Sequence, residues 1–328
     1  MIVPDHWAQA RKQHRAGGKQ ITVRRFGWSM LSEEDARTMA EQRAEEALQR
    51  ILSGEALTRR ERKTAYSGAD GVPIREEVLS RHDDEVITRN SYGAHCLNSP
   101  RALFADVDFD SFDRRGFAPA LLAFVVLVAA TATASWHFQS PVIAFWGVLA
   151  SLALAVPAAA FWRRVVRAAQ GGSEQAARAR VQVFLSKNPS WALRLYRTPR
   201  GLRLLVTHQL FDATAPQVQQ FFSAVGADPV YVRMCINQRC FRARLTGKPW
   251  RMDMATRMTP RPGVWPVQAE HMAMRRQWVA AYEQKAAQFA ACRFVEAMGS
   301  GAVHIDMGSV IELHDTTSRA MRTQLPMA

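Results

Sequence analysis

Several features are scarce in this chain, and each absence excludes something. Four cysteines in 328 residues are too few for a disulfide scaffold, and none forms a Cys-x-x-Cys pair. Cys235 and Cys240 stand five apart, with Cys96 and Cys292 distant in sequence. GxSxG, Walker, HExxH and Rossmann glycine patterns are all missing. The first twenty residues are polar and basic without an apolar core, so no secretory signal is expected. There is no internal repeat and no low-complexity tract. Residues 117–162 contain no Asp, Glu, Lys or Arg, and residues 163–260 contain only four acidic residues. What is plentiful is apolar: 48% hydrophobic residues and nine tryptophans exclude a disordered chain.

Charge is as uneven as hydrophobicity. Lys and Arg outnumber Asp and Glu by 43 to 29. Residues 1–116 are balanced, with nineteen of each sign, and residues 261–328 carry seven basic and six acidic. The excess lies in residues 163–260, where seventeen basic residues meet four acidic ones. A basic stretch that follows an apolar one fits a face set against anionic lipid headgroups. It equally fits a phosphate-binding surface for nucleotide or nucleic acid. Composition leaves both open.

The apolar stretch divides into residues 117–136 and 142–162, joined by five residues. At about 1.5 Å per residue, either run as a helix crosses a hydrocarbon core of roughly 30 Å. Two antiparallel transmembrane helices are therefore expected, with Trp136 and Trp162 near the interfaces and Pro157 as a kink point. Arg114 and Arg115 precede the first run, Arg163, Arg164 and Arg167 follow the second, and the connection has neither Lys nor Arg. The positive-inside rule then puts both termini in the cytoplasm. The expected location is a bacterial cytoplasmic membrane, multi-pass, with all four cysteines as cytoplasmic thiols.

The flanking parts read as mixed α+β. Residues 21–28 alternate as a strand, and Ser32 with Asp35 opens a helix to about Leu52. Arg59, Arg60, Arg62 and Lys63 form a basic run, and Asp70-Gly71 marks a turn. Strands are expected near Val78, over 86–89 and over 103–109, with 92–100 as a loop. After the apolar stretch, Ser173 opens a helix whose Ala177, Val181, Phe184 and Leu185 share a face. A hairpin turning at 198–201 follows, then a helix from Pro216 to Gly226 and a strand over 239–245. Residues 247–266 read as an irregular loop, 268–298 as one long amphipathic helix and 303–313 as a strand. The expected architecture is one cytoplasmic α+β domain, a mixed sheet with flanking helices, interrupted by a transmembrane hairpin. Its parts are residues 1–116, 117–162 and 163–328, the last basic to about 260.

Chemistry concentrates in Leu103-Phe104-Ala105-Asp106-Val107-Asp108. Residues two apart on a strand face the same way, so Asp106 and Asp108 project together, and Asp110 continues that face. Two carboxylates so close repel unless a cation lies between them, which makes the pair a candidate Mg²⁺ or Mn²⁺ site against the reading of a solvated strand end. Cys235 and Cys240 with Cys96 or His208 offer zinc ligands, with plain free thiols as the alternative. His304, Asp306, Glu312, His314 and Asp315 gather near the end, and a capped strand end is the favoured reading there. Trp250, Trp265 and residues 252–258 either stack on bases or cover the core.

The order of motifs over residues 100–250 resembles the primase-polymerase family of the archaeal and eukaryotic type. A hydrophobic Asp-x-Asp strand is followed by a hairpin with Thr198-Pro199-Arg200-Gly201-Leu202-Arg203, then Asp228, then Arg242-Ala243-Arg244-Leu245-Thr246-Gly247-Lys248. The resemblance implies a split catalytic core with divalent metal on Asp106, Asp108 and Asp228. It also implies phosphate contacts from Arg200, Arg203, Arg242, Arg244 and Lys248. Where that family carries a hairpin histidine this chain has Arg203, and His208 lies five residues further on. A guanidinium holds phosphate but does not take over an imidazole's role. The chain also resembles a bacterial family of two-helix membrane proteins without an established activity, through Phe26-Gly27-Trp28-Ser29, Arg89-Asn90-Ser91-Tyr92-Gly93 and Gly247-Lys248-Pro249-Trp250-Arg251. The functional expectation is a membrane protein whose domain binds metal and nucleotide, with a non-catalytic scaffold pressed to anionic lipid or a partner as the alternative.

Overall fold

A computed structural model describes residues 3–61, 72–109, 118–169, 172–261 and 263–328. Arg62, Lys63, the Asp70-Gly71 turn, Asp110, Arg114, Arg115 and Phe117 lie outside the described residues. Among the described residues there are three antiparallel sheets and eight α-helices.

The chain opens on a hairpin of β1 (His6–Ala16) and β2 (Lys19–Ser29), which pair along their whole length across Gly17 and Gly18, both with positive φ. Only residues 21–28 were expected to be extended. β1 is mostly polar, and its inward side chains are the sparse Trp7 and Ala10. α1 (Glu33–Leu52) packs on this hairpin through Ala36, Ala40, Ala44 and Ala47, a small-residue stripe that permits close approach. A Cβ on Gly27 would lie 2.2 Å from the Ala36 carbonyl oxygen. The expected cap is present, since the Ser32 hydroxyl accepts from Asp35 N–H at 3.0 Å.

Two four-stranded sheets follow. One has the order β3 (Glu77–His82), β4 (Glu85–Arg89), β5 (His95–Ser99), β9 (Phe241–Arg244). The other has the order β10 (Arg293–Gly299), β7 (Ala192–Thr198), β8 (Gly201–Val206), β6 (Phe104–Asp108). Each sheet thus takes strands from both sides of the apolar stretch. The shared core holds Leu103, Phe104, Leu195, Leu204 and Leu205 against α4 (Ser173–Lys187) and α5 (Pro216–Val225). Those helices bury the faces expected of them: Ala177, Val181 and Phe184 on α4, and Val218, Phe221, Phe222 and Val225 on α5.

Four expectations need correction. β5 was expected to be a loop. It is a central strand whose polar residues are satisfied inside, with Asn98 Nδ2 donating to Val86 O at 2.9 Å and Ser99 Oγ to Glu85 Oε1 at 2.9 Å. A ten-residue helix, α6 (Pro229–Gln238), sits between α5 and β9 where none was expected. The long helix ends early: α7 (Met272–Ala286) stops, and Arg293 onward becomes β10 by pairing with the open edge of β7. Finally, residues 303–313 are not a strand. α8 (Met307–Ser318) is a helix, and its buried Met307, Val310, His314 and Ser318 follow helical spacing.

α2 (Ala118–His137) and α3 (Pro141–Ala169) pack on each other, with Gly147 against Thr131. Their outer faces expose Leu121, Leu122, Val125, Phe145, Trp146 and Leu152. Among the described residues one helix, Pro141–Trp162, has the length and apolarity to cross a membrane, and the apolar run Leu121–His137 is shorter.

Candidate functional site

All eight residues singled out from the sequence line one cleft of about 410 Å³: Asp106, Asp108, Asp228, Arg200, Arg203, Arg242, Arg244 and Lys248. Strand register brings them there. β6 and β8 pair antiparallel with Asp106 opposite Arg203 and Asp108 opposite Gly201. Gly201 is dictated by space, because a Cβ there would lie 2.0 Å from the Val107 carbonyl oxygen. Phe109 N–H donates to Arg200 O at 3.0 Å and ties the end of β6 to the hairpin turn. On the other sheet, Arg242 and Arg244 alternate along β9 and so point the same way. Asp228 joins from the start of α6, where its backbone N–H donates to Asp106 O at 2.9 Å.

The most buried of these groups is Arg203, whose side chain is 2% exposed. Its Nε donates to Asp106 Oδ1 at 2.9 Å, and its Nη1 donates to the Arg244 carbonyl at 2.8 Å. Burial works against the guanidinium charge, and Asp106, Cys292 and Tyr231 together more than offset it, so the charged form is held. Behind it, His314 Nε2 lies 3.4 Å from Nη1, and His314 Nδ1 lies 2.9 Å from Asp315 Oδ1. The His314 ring is thus held between Asp315 at Nδ1 and, at Nε2, Arg203 and the Cys292 thiol, whose Sγ lies 3.9 Å away. Asp315 is in turn paired with Arg194 at 2.6 Å. The terminal cluster therefore divides: His314 and Asp315 brace Arg203, whereas Glu312 is exposed and His304 pairs locally with Asp306.

A second buried pair joins Arg242 to Glu76, with Thr88 Oγ1 also donating to Glu76 at 2.7 Å. Around the mouth the cations crowd. Lys248 is pushed down to about 8 by burial and by Arg244 and Arg251, an effect Asp106 and Asp108 offset only in part. Arg251 is likewise lowered by burial and by Arg244 and Arg200. An anion among these groups would relieve both the repulsion and the desolvation.

The cleft continues past Ser91 and Tyr92, which also line a neighbouring groove of about 890 Å³. Trp250 stands in that groove, 59% exposed, with Tyr92 edge-on at 5.3 Å and Lys248 Nζ 5.5 Å from its ring. Met252 and Met258 are core residues instead. Sequence reasoning missed Glu76, Tyr92 and Arg251 as cleft residues. Arg251 and Tyr92 carried a signal, since each lies in a segment noted for other reasons, and Glu76 carried none.

The carboxylates fit a divalent cation poorly. Asp106 is engaged by Arg203, and Asp228 Oδ1 accepts from Val230 N–H at 3.1 Å as a helix cap, so the three carboxylates do not make up a ligand set. Among the described residues no group of three or more His, Cys, Asp or Glu is arranged to hold a metal ion, and the four cysteines are buried free thiols. His208 accepts from Ala192 N–H at 3.3 Å beside Trp191, outside the lining of the cleft.

Fold and site together define a class: an α+β protein with a predominantly cationic cleft between two sheets and an aromatic groove beside it. No family model, curated protein or solved structure gives a significant match to this chain.

Proposed function

We propose that this protein is a membrane-anchored nucleotide-binding protein of the cytoplasmic face, with its ligand's phosphates in the Arg203 cleft. The observation that carries the reading is convergence. Arg200, Arg244, Lys248 and Arg251, from the β7–β8 turn, β9 and the segment after it, meet in one cleft where burial, and then like charge, lowers Lys248 and Arg251. The exposed Trp250 in the adjoining groove supports a ligand that carries a flat ring as well as phosphate, since base–aromatic stacking accepts any base. The motif order resembling primase-polymerases agrees with this ligand class. Membrane anchoring by α2 and α3 is supported by their exposed apolar faces and by the absence of charge from residues 117–162.

Isothermal titration of ATP and GTP into the detergent-purified full chain tests the ligand, with Arg244→Ala as control. Micromolar binding lost in the variant is the expected result. Binding of phosphatidylglycerol nanodiscs but of neither nucleotide would shift the reading to a lipid headgroup. Anchoring is tested by carbonate extraction and by labelling of Gln139→Cys, in the α2–α3 connection, from the periplasmic side. Release of the chain by carbonate, or absence of outside labelling, would refute it.

A further inference from the structure

We propose that the guanidinium of Arg203 stands in place of a divalent cation at Asp106, so that the cleft binds its phosphate-bearing ligand without metal. The ligand in this inference rests on the nucleotide reading above. The chemistry rests on β6, β8 and what braces them.

Two carboxylates projecting from one strand end require a positive charge between or beside them. Here that charge is covalently part of the chain. The β6–β8 register sets Arg203 directly across from Asp106, and both Asp106 oxygens face it, at 2.9 Å from Nε and 3.4 Å from Nη2. The guanidinium has no room to withdraw. It is held on its other side by the Arg244 carbonyl and by His314, which Asp315 orients. A cation drawn to Asp106 would meet a fixed, buried positive charge and would strip that charge of its partner. Asp228 caps α6 instead of completing a ligand set. The positive charge that a metal would offer to phosphate is supplied by Arg200, Arg244, Lys248 and Arg251, which line the same cleft. The hairpin residue that departs from the primase-polymerase pattern thus changes how the site is neutralised while leaving its phosphate side intact.

The test has two arms on the full-length, detergent-solubilised chain. In the first, ATP is titrated in EDTA and in Mg²⁺. Affinities within about threefold of each other are expected, and a gain of tenfold or more with Mg²⁺, about 1.4 kcal/mol, would overturn the inference. In the second, Mn²⁺ is titrated alone. No saturable binding is expected in the native chain, and binding that Asp106→Asn abolishes would overturn the inference. Arg203→Gln should bind Mn²⁺ at least about tenfold more tightly than the native chain, and equal weak binding would count against it. Failure of ATP to bind in either buffer would remove the nucleotide reading, while the Mn²⁺ arm would still decide the role of Arg203.

Discussion

The Asp106–Arg203 pair makes an asymmetric prediction, because its partners differ in burial: Arg203 is 2% exposed and Asp106 is 36% exposed. Asp106→Asn removes the charge that compensates a fully buried guanidinium. At about 4 Å and an effective dielectric near 20, that attraction is about 4 kcal/mol, and breaking buried pairs costs about 3–5 kcal/mol. Arg203→Met leaves Asp106 free to hydrate from the cleft and keeps the aliphatic volume, while the Arg244 carbonyl loses a donor. Its cost is about 1–3 kcal/mol. The double variant removes both charges, so adding Arg203→Met to Asp106→Asn should restore stability. Thermal unfolding in detergent, followed by tryptophan fluorescence, reads the order. At about 2–4 °C per kcal/mol, Asp106→Asn should lose on the order of 10 °C, Arg203→Met roughly half as much, and the double variant should lie above Asp106→Asn. If the two single variants lose equal stability, or if the double variant falls by their sum, Arg203 is not a buried charge dependent on Asp106.

Three further outcomes follow from the cleft. Lys248 sits near 8, below the usual lysine range because of burial and then Arg244 and Arg251, so it is charged below that pH and loses its proton above it. Affinity for a phosphate ligand should fall as pH rises from 7 to 9, binding at pH 8 should take up protons, and both effects should vanish in Lys248→Met. A flat pH profile in the native chain would remove Lys248 from the site. Trp250→Ala should weaken nucleotide binding by about 1–3 kcal/mol, the worth of one base–aromatic stack, with no change in unfolding temperature because the ring is already exposed. Inorganic triphosphate should bind native and variant alike, and an equal loss for both ligands would contradict stacking. Gly201→Ala forces β8 off β6 at the Val107 carbonyl and should cost about 1–3 kcal/mol, along with ligand affinity; an unchanged unfolding temperature would show that the strands do not approach as described.

The site was more legible in the sequence than the outer elements of the fold. A period of two at Asp106 and Asp108, with a turn-marked hairpin at Gly201, is local information, and strand alternation alone decides which side chains share a face. The primase-like order then grouped residues far apart in sequence, and the cleft unites all eight. What stayed hidden depends on partners. β5 carries Asn98 and Ser99, which read as loop residues until Thr88, Val86 and Glu85 are in place to satisfy them. β10 continues a helical pattern with no breaker before Gly299, and it becomes a strand because β7 offers a free edge. α8 holds β-branched Val310 and Ile311, yet its burial at Met307, Val310, His314 and Ser318 was readable by spacing. The bracing role of His314 had no local signature, since it exists only because α8 lies behind β8.

Folding also changes what the charge excess means. Counted along the chain, residues 163–260 form a strongly basic block. In three dimensions many of those cations meet carboxylates supplied from outside the block: Arg242 meets Glu76, Arg203 meets Asp106, Arg194 meets Asp315 and Arg178 meets Glu296. A uniform basic face is therefore not what the block builds. The balanced first part lends it Glu76 and Asp106, the last part lends it Glu296 and Asp315, and the parts are coupled electrostatically as well as by strand pairing. The positive field concentrates at the Arg244, Lys248 and Arg251 mouth of the cleft, where burial, and then like charge, lowers Lys248 and Arg251. A confined cluster beside the exposed Trp250 is the arrangement on which the proposed phosphate ligand with a flat ring rests. Chain length also limits how far this cleft can lie from the apolar helices. Asp108 and Ala118, where α2 begins, are ten residues apart, at most about 35 Å when fully extended. If α2 and α3 cross the membrane as proposed, the bound phosphate sits within that reach of the lipid surface.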